Sequence, residues 1–170
     1  RKGFDQVIQA LPALVHAGLD IQYVLIGIGE DYDYLLNLAL KHGVSERVHL
    51  LGHVSTDDLP RWYNACDVFI MPNREINGDT EGFGMVFIEA AACGKPAIAG
   101  QTGGTGAAVV DEVTGFRVDG TDAAAIATAL QRVLEDKQYA QQIGSYALAR
   151  AINQFDWSIV AEKTRQLKTK

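Results

Sequence analysis

Short apolar runs of strand length alternate with longer amphipathic runs along almost the whole chain, and this alternation restricts it to a parallel sheet covered by helices on both faces. Phe4, Val7, Ile8, Leu11, Leu14 and Val15 follow the spacing of a one-sided helix. Gly3 and Asp5 mark its start and His16-Ala17-Gly18 its stop. The β-branched run from Ile21 to Gly27 predicts a buried strand that breaks at Gly27-Ile28-Gly29. A helix through Tyr34 to His42, a strand over Val48 to Gly52, a helix from about Asp57 to Ala65 and a strand over Asp67 to Pro72 continue the pattern. The helix carrying Glu89 should end in a left-handed stop at Gly94, with Pro96 just beyond. The strand Pro96 to Gly100 follows, then a glycine cluster, a short helix and the strand Gly115 to Val118. Helices from about 122 to 135 and 138 to 153 and an amphipathic segment from Trp157 complete the chain. No repeat or low-complexity linker interrupts the order, so the expected fold class is α/β, a Rossmann-like doubly wound parallel sheet. A chain of 170 residues holds one such domain, 1–170, and is small for two lobes.

Composition narrows the functional classes. Hydrophobic and charged contents of 48% and 21% are globular values, and no apolar run nears the roughly 18 residues of a membrane span. A net charge of −6 disfavours a nucleic-acid partner, which needs a basic face. One phosphate-bearing ligand remains compatible with it. Cys66 and Cys93 lie in apolar contexts without metal-ligand spacing, which points to buried free thiols and a reducing, cytoplasmic setting. The chain opens at Arg1-Lys2-Gly3 without a methionine and is expected to be a fragment of a longer protein.

Open α/β sheets take ligands outside the carboxyl ends of their strands, so the loops there carry the candidates. In Glu81-Gly82-Phe83-Gly84-Met85-Val86-Phe87-Ile88-Glu89, two carboxylates flank a Phe-Gly pair that opens an apolar, helix-like run. If that run is helical from Gly84, eight residues separate the carboxylates by about 12 Å. That exceeds the roughly 6.5–9.5 Å of an inverting glycosidase pair, so the two are read as clamps on opposite ends of one ligand. The helix start between them offers unpaired N–H groups and a positive dipole end to a diphosphate. Gly82 and Gly84 let the backbone approach a ligand, and Phe83 can wall the pocket. Gly103-Gly104-Thr105-Gly106 offers a second cradle of backbone N–H groups. Lys2, at the opening of the first helix, can reach an anion held there, although a solvated surface lysine fits as well. Gly27-Ile28-Gly29 is half of a dinucleotide fingerprint, with Tyr32 where the third glycine belongs. Gly52-His53-Val54-Ser55 suits either a flat base or a plain loop and helix cap.

Other chemistry finds little support. Asp31-Tyr32-Asp33 imitates a metal-binding Asp-x-Asp, but with Glu30 it lies at a helix start, where carboxylates complement the dipole. No metal site is expected. The four histidines are scattered, and no serine or cysteine nucleophile has a recognisable partner.

Together these residues resemble the retaining glycosyltransferases of family four, and specifically the C-terminal, donor-binding domain of their two-lobed GT-B fold. The resemblance rests on Arg1-Lys2-Gly3-Phe4-Asp5, Val24 to Gly29, Val48 to Val54, Asp67 to Pro72, Glu81 to Glu89, Ala92 to Pro96, Gly103-Gly104, Gly115-Phe116 and Phe155-Asp156-Trp157, in that order. It implies transfer of a hexose from a UDP- or GDP-sugar to a hydroxyl acceptor with retention, without a metal or other cofactor. Lys2 would bind the diphosphate, with Gly29, Gly103 and Gly104 also in the donor site. Val54 would pack near the base, and Glu89 would hold the ribose. Glu81 would touch the transferred sugar as the catalytic candidate, with the backbone of Phe83, Gly84 and Met85 facing sugar and phosphates.

Two departures qualify the resemblance. The family's Gly-Arg strand before the Lys-Gly is absent, so a gap is expected between the strands at Tyr23 to Ile26 and Val68 to Met71. The N-terminal lobe, which in the family meets a glycan, lipid or small-molecule acceptor, is absent too, and the fragment alone should be inactive. Ala107 stands where many relatives carry Glu. The whole enzyme would work in the cytoplasm, with peripheral membrane association as one option. A nucleotide-sugar-binding module without chemistry, or a GT-B sugar-nucleotide epimerase, would carry the same glutamates.

Overall fold

In the computed structural model, which describes residues 1–167, strands and helices follow the predicted order. They are α1 (Phe4–His16), β1 (Tyr23–Ile26), α2 (Tyr32–Lys41), β2 (Val48–Gly52), α3 (Leu59–Ala65), β3 (Phe69–Met71), α4 (Met85–Ala92) and β4 (Ala97–Gly100). After β5 (Gly115–Val118) come α5 (Ala123–Glu135), α6 (Lys137–Arg150), a π-helical turn (Ala151–Phe155) and α7 (Trp157–Leu167). A short 3-10 turn spans Gly103–Ala107.

The strands pair in parallel, but in two groups. β1 lies beside β2 with Tyr23 opposite Val48, and β3-β4-β5 form a second ladder in which Ile98 faces Ile70 on one side and Phe116 on the other. Among the described residues no ladder joins β1 to β3. Between them is a cavity of about 970 Å³, lined by Val24, Leu25 and Ile26 on one side and Phe69, Ile70 and Met71 on the other, with Phe4 and Leu11 of α1. The expected gap is therefore present.

Partner availability explains why two strands are shorter than the apolar runs suggest. Tyr23 pairs with Val48, the first residue of β2, which leaves no partner for Ile21 and Gln22. β3 begins only at Phe69, opposite Ala97, because Pro96 before it can accept but cannot donate; Phe69 N–H bonds the Pro96 carbonyl. The last predicted helix also differs, since α6 stops at Arg150 and continues as the π turn.

Two buried clusters hold the layers. Val7, Ile8, Leu11 and Leu14 of α1 pack with Ile126, Leu130 and Val133 of α5, as the 3.6-residue period of both segments dictates. Phe87, Ile88 and Ala91 of α4 pack with Met71, Ala97, Ala99 and the small residues Ala147 and Ala151. β4 is buried along its whole length, as the central strand of its ladder must be.

The backbone just after β3 anchors the carboxyl end of the sheet. Asn73 is fully buried; its side-chain oxygen accepts from Gly100 N–H at 3.1 Å and its amide donates to the Thr102 carbonyl at 2.9 Å. A Cβ at Gly100 would lie 1.7 Å from the Asn73 carbonyl oxygen, and Cβ atoms at Gly3 and Gly120 would lie 2.1 and 2.4 Å from that of Pro72. The starts of α1 and α5 and the end of β4 thus meet one dipeptide.

Arg74, next in the chain, pairs with Asp5 of α1 through two bonds of 2.8 and 2.9 Å, and both side chains are mostly buried. Burial alone would raise the Asp5 pKa, but the Arg74 hydrogen bonds and charge outweigh it and hold Asp5 below the usual carboxylate range. Stability from this pair is complete above the ordinary Asp pKa of about 3.9 and is lost as pH falls through the lower folded value. Asp5→Asn is expected to cost about 1.5–3 kcal/mol at pH 7, measured by urea denaturation, and to flatten the stability loss below about pH 4. An unchanged acid limb would show that the pair contributes nothing.

Candidate functional site

The loop leaving β3 returns to the start of α1, and there the predicted anion-binding and sugar-binding residues meet. Lys2 Nζ forms a close ion pair with Glu81 Oε2, and Arg1 Nη1 reaches the same oxygen at 3.2 Å. Arg1 also donates to the Thr80 carbonyl and pairs with Asp79, while Arg74 N–H bonds the Arg1 carbonyl. The Glu81 side chain is only 14% exposed. Burial pushes its pKa up, but the opposing effects of Lys2 and then Arg1 are larger and leave it below the usual range. Glu81 is therefore ionised at neutral pH and serves as an acceptor of hydrogen bonds.

The second glycine cradle lies directly against this loop. Gly104 N–H donates to the Glu81 carbonyl at 2.9 Å. A Cβ at Gly104 would stand 1.7 Å from the Gly82 oxygen, and one at Gly103 would stand 2.1 Å from the Glu81 oxygen. Gly84 follows in the left-handed conformation (φ 80°) as the N-cap of α4, so Met85 is the first helical residue. The sequence estimate placed both glutamates along one helical run. Glu81 instead lies in the loop before the helix, so the helical-rise separation does not describe the pair.

Glu89 occupies α4, half-buried, where its Oε2 accepts a 2.8 Å hydrogen bond from the Tyr63 hydroxyl. Burial, then the hydrogen bond and charge of Glu89, raise the Tyr63 pKa far above its ordinary value, so the phenol stays a donor. Tyr63, from α3, was not among the expected site residues. Its only sequence signal was an aromatic on a short helix; the structure stacks it on Phe69 at 5.6 Å, and Phe69 in turn meets Phe87 of α4 edge-on. The two glutamates are thus held from different sides, Glu81 by the start of α1 and Glu89 by α3.

Other expectations divide. Gly29 lies in an exposed loop before α2 with open space around it, and Val54 is half-buried after β2. Among the described residues no hydrogen bond ties either to the Glu81 cluster. Ser55 braces the turn before α3 by accepting from Asp58 N–H at 3.1 Å and donating to its carboxylate, while Asp58, the N-cap of α3, makes no side-chain cap hydrogen bond. The Phe83 ring is half-buried and packs on Phe155 at 5.6 Å. Glu30, Asp31 and Asp33 are exposed, and among the described residues no group of three or more His, Cys, Asp or Glu side chains is placed to hold a metal. The cysteines are free but half-buried rather than buried, and burial still raises both thiols.

The sequence profile of the family described as Glycosyl transferases group 1 matches residues 1–150. The chain belongs to that family. A GDP-mannose-dependent alpha-(1-6)-phosphatidylinositol monomannoside mannosyltransferase of Mycolicibacterium smegmatis is 38% identical over 159 residues, which are 92% of this chain and 42% of that protein. A glycogen synthase of Mycobacterium tuberculosis is 33% identical over 98% of the chain and 39% of its own length. The chain therefore spans about two-fifths of the curated relatives it matches. Among solved structures, Thermosynechococcus elongatus sucrose-phosphate synthase superposes with a TM-score of 0.86 at 30% identity, over 99% of this chain and 42% of that one. Anabaena HepE in complex with UDP-glucose gives 0.86 at 28%, over 99% and 46%. The fold of this group 1 domain is that of a GT-B glycosyltransferase domain.

Two glycines separate packing from ligand approach. Gly104→Ala has no room for its methyl and is expected to cost about 1–3 kcal/mol of stability by urea denaturation. Gly29→Ala meets nothing within 4 Å at a φ outside the left-handed region, so its stability should be unchanged or slightly higher. A destabilised Gly29→Ala, or an unaffected Gly104→Ala, would contradict the packing described.

Proposed function

We propose that this chain is the donor-binding domain of a two-lobed retaining glycosyltransferase that moves a hexose from a UDP- or GDP-sugar to a hydroxyl acceptor without a metal. The observation that carries the reading is the meeting of Lys2, Glu81 and the Gly104 backbone at one end of the Glu81–Glu89 segment, with Glu89 fixed by Tyr63 at the other. Glu89 would bind the ribose hydroxyls, with Val54 and Gly29 lining the nucleoside side. Lys2 and the N–H groups at Gly84, Met85 and Gly103 would take the diphosphate and sugar, with Gly104 lining the cradle while its own N–H holds the Glu81 carbonyl. The GDP-mannose dependence of the mannosyltransferase relatives and the UDP-glucose bound by HepE support this class of donor.

In the proposed reaction, the bond from the anomeric carbon to the diphosphate oxygen breaks while the acceptor oxygen bonds to the same face of that carbon. The acceptor's proton passes to the departing diphosphate. Lys2 would stabilise the negative charge gathering on that leaving group. Glu81, ionised and turned to the sugar, would accept from a sugar hydroxyl and favour positive charge at the anomeric carbon. Neither role requires a proton to leave or enter Glu81. The acceptor would be supplied by another lobe of the full chain; the lipid-linked acceptors named for the mannosyltransferase relatives favour a lipid glycan met at the cytoplasmic membrane surface. No helix among the described residues is long and apolar enough to cross a membrane.

The gap between β1 and β3 belongs to the same proposal. Each strand has an edge without a ladder, facing an apolar cavity where unpaired backbone groups are costly. An extended segment of the full chain would occupy it and join the two ladders. Hydrogen exchange on the full chain should then show slow amides along both edges; fast exchange there would rule the inserted strand out.

Calorimetry on the full chain with GDP-mannose and UDP-glucose tests the donor site. One of them should bind, and Glu89→Gln should weaken it by about 10–100-fold through the lost charged acceptor. Glu81→Gln should instead lower transfer to a responsive acceptor by about 100-fold or more. Binding of neither nucleotide sugar sinks the donor reading. Donor binding with transfer unaffected by Glu81→Gln leaves a binding site and removes the catalytic role, and products formed from the donor alone would indicate an epimerase.

A further inference from the structure

The two cradles are gripped from behind by a part of the chain that neither glutamate touches. Arg150, the last residue of α6, donates from Nη1 to the Ala108 carbonyl and from Nη2 to the Ala107 carbonyl, both at 2.7 Å. Those carbonyls close the Gly103–Ala107 turn. The same guanidinium lies 4.8 Å from the centre of the Phe155 ring, and Phe155 packs at 5.6 Å on Phe83, the residue between Gly82 and Gly84. Arg150 has no ion-pair partner among the described residues, so its bonds to the two carbonyls and the ring face are what hold it.

The local backbone explains how one short segment reaches both loops. The π-helical turn at Ala151–Phe155 inserts extra backbone after Arg150, turning Phe155 to a different angle from the one an uninterrupted α-helix would give it. Ala147 and Ala151, buried against α4, let that turn approach closely. Asp156 then accepts from Ser158 N–H at 2.9 Å and starts α7 in a new direction. Because Gly104 N–H is bonded to the Glu81 carbonyl, a shift of either loop must move the other.

We propose that Arg150 and Phe155 are positioning residues that set the spacing of the Gly82–Met85 and Gly103–Ala107 backbones, and so the fit of the diphosphate-sugar end of the donor. The inference rests on the donor-site reading above. It makes a demand that reading does not: the nucleoside end is held through Glu89 and Tyr63, and among the described residues neither Arg150 nor Phe155 bonds to either of them. Loss of the clamp should then harm one end of the ligand and spare the other.

The test is calorimetry on the full chain with GDP-mannose and UDP-glucose, each compared with its nucleoside monophosphate. Phe155→Leu and Arg150→Gln are each expected to weaken the nucleotide sugar that the unmodified protein binds by about 10-fold or more, since displacements near 1 Å in such sites have effects up to about 100-fold. The matching monophosphate should change by less than about twofold, and Phe155→Tyr, which keeps the ring, should restore nucleotide-sugar binding. Either variant serves alone if the other does not fold, as judged by its urea midpoint. Equal weakening of both ligands, or no weakening of the nucleotide sugar in a folded variant, overturns the inference. If the unmodified protein binds neither nucleotide sugar, the donor-site reading fails first.

Discussion

Everything at the carboxyl end of the sheet depends on the close backbone approach around Pro72-Asn73. Three glycines from different parts of the chain abut that dipeptide at distances no Cβ could tolerate, and the Asn73 side chain ties two further backbone groups to it. The contact decides where α1 begins, and Lys2 is one residue before Gly3. It also decides where the chain leaves β4 and hence where the Gly103–Ala107 turn can form. That a lysine and two glycine loops share one place is thus set by sterics before any charge is considered.

Charge then refines what sterics assemble. The chain is acidic overall, with a net charge of −6, yet two cations converge on one buried carboxylate oxygen of Glu81. Their attraction is less screened than at an exposed surface, which is why the carboxyl titrates low despite its burial. In the proposed donor site a diphosphate would meet a Lys2 already ordered by Glu81, which would leave little reorganisation for the moment of reaction. Glu89 follows the complementary design. Its orientation comes from a neutral phenol whose own proton is retained by burial, so the carboxylate is aimed by a hydrogen-bond donor rather than by a cation.

How much of this was legible in the sequence follows from what each feature depends on. The alternation, the left-handed stop at Gly94 and the gap beside β1 depend on local pattern or on topology, and they appear as expected. The Glu81–Glu89 segment was found because its glycines, acids and apolar residues lie within nine positions. Tyr63 and Arg150 escaped notice, and Phe155 entered the resemblance without a contact assigned to it, because each acts across 26 to 72 residues of chain, counted from the numbers of their partners Glu89, Ala107 and Phe83. Neither periodicity nor composition marks such contacts. The same limit explains the Phe83–Phe155 contact and the π turn, since the second aromatic arrives from the far end of the chain and a π turn has no distinctive apolar period.

The slot between β1 and β3 connects the sheet to the chemistry. In a doubly wound sheet the ligand crevice opens where the strand order reverses, outside the carboxyl ends of the strands. Here the loop after β1 carries Gly29 and the loop after β3 carries Glu81, and the slot lies between them. The exposure of Gly29 and its lack of any hydrogen bond to the Glu81 cluster are what a crevice with its central element unfilled would show. A strand filling the slot would add a backbone end between Lys2 and Gly29, on the side where the charges already gathered lack a second wall. On this view the diphosphate half of the site is assembled by the contacts around Asn73 and Gly104. In the proposed donor site, the nucleoside half would acquire its final width only when the two ladders become one sheet.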